Sequence, residues 1–139
     1  ESFMTGPEDA IEFFHGYTYS GHPLAAAAGL ATLNVYEEEG LFEKAKELIP
    51  VLEEEVHKIK GTRYVIDIRN FGLLGAIELE PIEGKPTARA LSVFRECYDR
   101  GVLIRTTGDT VAMCPPFIAS ADDVRTIVAT IKESLEAID

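Results

Sequence analysis

Long apolar runs are missing from this chain. No stretch of about 18 consecutive apolar residues occurs, so nothing in it reads as a membrane-spanning helix. Basic residues are scarce: 13 Lys and Arg stand against 24 Asp and Glu, for a formal net charge of -11. Those few are scattered rather than clustered. A surface of this sign repels phosphate backbones, which argues against nucleic-acid binding. Only two cysteines are present, Cys97 and Cys114, and they lack CxxC spacing. They read as a pair of reduced, buried thiols in a cytoplasmic protein. The three histidines, His15, His22 and His57, share no ligand spacing with one another or with a cysteine, so no zinc site is expected. No Walker or dinucleotide glycine pattern occurs, no internal repeat, and no basic-then-apolar leader. The chain opens on Glu1 without an initiator methionine, which suggests a fragment of a longer protein.

What remains is an ordinary globular composition. The 139 residues are 46% hydrophobic, enough to bury one core. In the first 14 residues, Thr5, Gly6 and Pro7 look like turn material, and a short helical turn is expected after them. Pro23 suits the first turn of a helix, where its missing N–H costs nothing. Leu24, Ala27, Ala28, Ala31 and Val35 then keep helical spacing as far as a stop at Gly40. A second helix is expected over about 41–59, striped by Leu41, Ala45, Leu48, Leu52, Val56 and Ile59, with Pro50 kinking it or ending its first half. "YVIDIRN" and "GLLGAIELE" read as two strands around an "NFG" turn, with Leu73, Gly75, Ile77 and Leu79 on one face. A helix over about 87–100 follows, with Ala90, Val93, Phe94 and Cys97 inward. "VLIRTT" and "TVAMCPP" form a hairpin around Gly108-Asp109, stopped by Pro115 and Pro116. Ser120, with Asp123 three residues on, caps a last helix. The fold class is therefore α+β: a small, mainly antiparallel sheet with helices packed on one face.

Two places hold chemistry. "HGYTYSGHP", residues 15–23, is too irregular for a strand and too glycine-rich for a helix, so it is a loop placed directly before a helix start. Helix N-termini offer free N–H groups and a positive dipole end to an anion. Thr18 or Ser20 adds a hydroxyl there. On chemistry alone the plainer reading is preferred: Ser20 or His22 caps the helix and the tyrosines pack. Arg105 stands among residues expected to form an apolar strand, where a guanidinium cannot be buried unpaired. It either pairs with a nearby acid such as Asp109 or waits as a fork for a substrate carboxylate.

"FFHGYTYSGHPLAAAAGLATLNVYEEEGL" closely resembles the stretch that joins the large and small domains of class III aminotransferases, fold-type I enzymes that use pyridoxal 5'-phosphate (PLP). "HGYTYSGHP" looks most like the omega-amino acid:pyruvate branch. "GVLIRTTGDTVAMCPPFIAS" resembles the same family's arginine-bearing strand, Gly-Asp turn, return strand and Pro-Pro segment. "RNFGLLGAIEL" fits its small-domain sheet. The resemblance spans about residues 11 to 138.

It implies residues 1–22 as an interdomain segment and 23–139 as the C-terminal small domain of a fold-type I PLP enzyme. Thr18 then corresponds to the threonine that hydrogen-bonds the cofactor phosphate across the interface of a homodimer. Tyr17 and Tyr19 fall near that interface, Tyr17 beside the cofactor and Tyr19 beside the substrate. Arg105 corresponds to the arginine that binds the carboxylate of the amino or keto acid. The family's Schiff-base lysine and the aspartate under the pyridine nitrogen lie upstream of the loop. Lys44, Lys46, Lys58, Lys60, Lys85 and Lys132 do not match that lysine's context, so no catalytic residue is expected in this chain, and the large domain is its missing partner. The implied enzyme moves an amino group from an amine or omega-amino acid to a keto acid such as pyruvate. The alternatives are a same-fold aminomutase, a gamma-aminobutyrate-type transaminase, or a stand-alone α+β ligand-binding module.

Overall fold

A computed structural model of the chain describes Gly6 and residues 15–138. The turn expected among the first 14 residues lies outside the described residues, Gly6 apart. By packing, the chain divides into two units, Glu1–Val35 and Tyr36–Asp139. The first carries the 15–22 loop and most of α1 (Pro23–Glu38). α1 starts at Pro23, as its preset φ favours, and buries no residue. Leu24, Leu30 and Leu33 are all exposed on it.

The second unit holds α2 (Leu41–His57), β1 (Val65–Phe71), β2 (Leu74–Leu79), α3 (Ala88–Asp99), β3 (Arg105–Thr107), β4 (Thr110–Met113) and α4 (Ala121–Ala137). Its sheet has the order β1-β2-β4-β3, with every neighbouring pair antiparallel. Hairpins join β1 to β2 and β3 to β4, and α3 is the crossover between them. One face of the sheet is covered: α2 packs on β1 and β2, α3 on β3 and β4, and α4 on both helices. The α+β class expected from the sequence is the one observed.

Period-two alternation decides which face is inward. Ile77 and Leu79 of β2 and Val111 of β4 are fully buried, against Leu52, Val56, Val93, Cys97, Ile131 and Leu135 of the helices. Burial of such a side chain stabilises the fold by about 1.5–3 kcal/mol. Gly75 lies in the same inward row because its partner leaves no room: a Cβ there would stand 3.0 Å from Met113 Cγ.

Several local expectations need correction. α2 runs unbroken through Pro50 to His57. The anchors on either side, Leu48 and Leu52, are buried, and their packing outweighs the lost backbone bond. Phe71 pairs with Leu74, so the first hairpin turns on Gly72 and Leu73 rather than on "NFG". β3 begins only at Arg105, opposite Ala112. Val102, Leu103 and Ile104, expected in the same strand, stay outside the pairing, and Val102 N–H donates instead to Cys97 O at the end of α3, at 2.8 Å. Cys97 is buried as expected, and burial pushes its thiol pKa up. Cys114 is exposed: it follows the last paired residue of β4, where the chain leaves the sheet.

Candidate carboxylate and anion sites

Tyr17, Thr18 and Tyr19 share one turn. Ser20 N–H donates to Tyr17 O at 3.1 Å and His22 N–H to Tyr19 O at 3.2 Å, so two successive turns lead into α1. Tyr19 takes φ 63°, a left-handed conformation that costs a tyrosine of the order of 1 kcal/mol or more. Both tyrosines point into solvent, 73% exposed at Tyr17 and 82% at Tyr19. Each has a ring neighbour within the loop: His15 for Tyr17 at 4.9 Å and His22 for Tyr19 at 6.0 Å between centroids. The Thr18 hydroxyl is exposed and hydrogen-bonds to no other described residue. Ser20 makes no side-chain cap either: His22 O accepts from Ala26 N–H at 2.9 Å as the first helical bond. The loop thus offers an uncommitted hydroxyl beside a helix N-terminus, a donor set that fits a phosphate.

Arg105 belongs to the other unit. It opens the three-residue edge strand β3 and is exposed. The register aligns Arg105 with Ala112, Ala112 with Ala76, and Ala76 with Arg69, so all four stand in one row on the sheet face away from the helices. The arginines at the two ends of this row are in different states. Arg69 is held by Glu78 and Asp67, and the hydrogen bonds it donates to them raise its pKa. Arg105 has no ion pair among the described residues. Asp109, the acid that competed for it on sequence grounds, is committed elsewhere: its Oδ2 accepts Thr87 N–H at 3.0 Å. Arg105 instead lines a groove of about 340 Å³ with Leu103, Ala112, Cys114, Pro115 and Pro116. A planar fork with free donors at a largely apolar wall is suited to bidentate capture of a carboxylate.

All six lysines are on the surface. A Schiff-base lysine needs burial or a cationic neighbour to lower its pKa. Lys58 has the opposite environment: the hydrogen bonds it donates to Glu55 and Glu54 raise its pKa. Among the described residues no group of three or more His, Cys, Asp or Glu is arranged to hold a metal ion. No helix there is long and apolar enough to cross a membrane. The small residues flanking Arg105 in its row, Ala112 and Ala76, and the commitment of Asp109 were not apparent from the sequence. "GD" signalled only a turn, and alanine in a strand signals nothing until the register is known.

The aminotransferase class-III family model matches residues 2–135. The chain belongs to that family. Across its full length it is 49% identical to the omega-aminotransferase of Caulobacter vibrioides, of which it covers 32%. It is 41% identical, over 95% of its length, to the beta-alanine--pyruvate aminotransferase of Pseudomonas aeruginosa, covering 30% of that protein. In structure it is similar to a thermostable omega transaminase 4-fold mutant from Pseudomonas jessenii, with a TM-score of 0.80 and 31% identity over 89% of this chain and 29% of that one. The chain therefore spans about a third of the length of the curated relatives it matches.

Proposed function

We propose that this chain is the small C-terminal domain of a PLP-dependent aminotransferase, acting in the cytoplasm as a homodimer. Residues 1–22 serve as the interdomain segment and 23–139 as the domain. The whole enzyme moves an amino group from an amine or omega-amino acid to a keto acid such as pyruvate. The observation that carries this reading is Arg105, unpaired among the described residues and set on a groove wall while Arg69 in the same row is tied down. The pyruvate named in relatives of the omega branch supports the choice of acceptor.

PLP, once bound, stabilises the carbanion at the donor carbon. This chain's residues do the holding. Thr18 donates its hydroxyl to a phosphate oxygen of the cofactor in the neighbouring subunit. Tyr17 lies beside the same cofactor, and Tyr19 borders the substrate. Arg105 grips the acceptor carboxylate with two parallel N–H donors and so orients the adjacent carbonyl carbon. The lysine that binds the cofactor covalently, and the large domain bearing it, lie outside this chain.

Half-reaction kinetics of the whole enzyme test this. Arg105→Ala should raise the Michaelis constant for pyruvate by on the order of 30- to 1000-fold, the equivalent of about 2–4 kcal/mol. An uncharged aldehyde acceptor should be affected far less. Arg105→Lys should rescue only in part, because it keeps the charge without the fork. Equal losses with both acceptors would mean that Arg105 merely holds its strand.

A further inference from the structure

The position of Arg105 rests on little of its own. β3 is three residues long, lies at the sheet edge, and pairs only with β4. Its far end is the two-residue turn Gly108-Asp109, with Gly108 at φ 59°. The guanidinium can stand in one place only if that turn does.

Asp109 is the residue through which the turn meets the rest of the fold. Its backbone O accepts Leu79 N–H at 2.9 Å, extending the β2–β4 ladder by one bond. Its side chain reaches across to α3, where Oδ2 accepts Thr87 N–H at 3.0 Å. Thr87 precedes α3 with φ 69° and makes no side-chain cap of its own. The carboxylate of Asp109 thus supplies the acceptor that this helix start lacks. The start is itself immobilised. Two residues on, the buried Arg89 donates from Nε to Glu80 O at 2.6 Å and lies 3.4 Å from the Tyr64 ring centroid. Asp109 Oδ1 is also buried and has no partner among the described residues. A carboxylate half withdrawn from water to hold one backbone N–H is an expensive way to finish a hairpin, unless that hairpin must not move.

We propose that Asp109 is a positioning residue for Arg105. Its carboxylate pins the Gly108-Asp109 turn to the start of α3 and so fixes where the guanidinium fork stands in the groove. The inference rests on Arg105 being the acceptor-carboxylate clamp. Asp109 touches no substrate. It acts through the strand, so its loss is felt by acceptors that use the fork and not by those that do not.

The experiment is acceptor kinetics on the whole aminotransferase, with pyruvate and a neutral aldehyde as probes. Asp109→Ala should raise the Michaelis constant for pyruvate about tenfold, with kcat and the aldehyde constants unchanged, since a misplaced orienting group weakens only what it orients. Asp109→Asn should stay within about threefold of wild type, because its amide oxygen accepts the same N–H. In an Arg105→Ala background, Asp109→Ala should add nothing to the pyruvate defect. If Asp109→Ala does not fold, Asp109→Glu carries the same test: it keeps the charge and displaces the turn by a methylene. The inference is overturned if Arg105→Ala discriminates between the acceptors while the Asp109 variant affects both alike or neither. If Arg105→Ala itself fails to discriminate, the clamp reading falls and takes the inference with it.

Discussion

Single residues in this chain are distinguished by what they leave uncommitted. Thr18 is one of three hydroxyl-bearing side chains in the 17–19 turn, and its hydroxyl is spent on no other described residue. Other threonines return theirs to the backbone: Thr32 to Ala28 O at 2.9 Å, Thr126 to Asp122 O at 2.8 Å and Thr130 to Thr126 O at 2.8 Å. Thr18→Ala should therefore leave the domain's stability unchanged and weaken cofactor retention in the whole enzyme. One lost hydrogen bond is worth about 0.5–1.5 kcal/mol, more toward a charged oxygen, so PLP dissociation should rise roughly threefold to tenfold. Dialysis followed by titration with PLP measures it, and equal affinity in mutant and wild type would remove Thr18 from the site. The sequence made Thr18 and Arg105 visible for different reasons. A loop rich in hydroxyls before a helix start is conspicuous, and so is a guanidinium in an apolar strand. The role of Asp109 was not legible, because it depends on Thr87, 22 residues earlier in the chain, and that proximity exists only once α3 has crossed the sheet.

At the scale of elements, the most legible signals were those fixed by local chemistry. Ser120 and Asp123 form the expected capping box. Ser120 Oγ accepts Asp123 N–H at 3.1 Å, while Asp123 Oδ2 accepts Ser120 N–H at 2.8 Å and the Ser120 hydroxyl at 2.7 Å. These bonds, the backbone one foremost, hold the Asp123 carboxyl below its ordinary range. A depressed carboxyl contributes stability that is present above the unfolded-state pKa, roughly 4 for aspartate, and is lost as pH falls through the lower folded value. Asp123→Asn should therefore lower the thermal midpoint at pH 7 and make little difference at pH 2. A scan of melting temperature against pH for both proteins checks this, and a constant difference down to pH 2 would show that the box holds without its charge. Less legible were the features set by competition between distant parts. Pro50 breaks a helix in isolation but not one anchored by Leu48 and Leu52 on a formed core. "VLIRTT" reads as six residues of strand, but only Arg105–Thr107 pair with β4, and Val102 N–H is taken by Cys97 O of α3. The stripes of α2 and α3 and the inward row of β2 follow directly from periodicity, so the core could be read before the topology.

At the scale of the whole molecule, each unit has an apolar surface left bare among the described residues. α1 buries nothing, and the outer sheet face carries Phe71 at 84% and Leu74 at 54% exposure beside Ala76 and Ala112. Exposed apolar surface of this kind marks an interaction site. It is consistent with a chain that spans about a third of its curated relatives and with the proposed role as one part of a larger enzyme. In the proposed role this chain carries holding groups for cofactor and substrate and not the lysine on which the chemistry turns. The most direct measurement is made on the chain alone. It is incubated with stoichiometric PLP, its absorbance near the aldimine band is recorded, and after borohydride reduction its lysines are mapped by mass spectrometry. No site-specific adduct is expected, only traces spread over Lys44, Lys46, Lys58, Lys60, Lys85 and Lys132, all of them surface residues. A stoichiometric adduct on any one of these lysines would contradict that role.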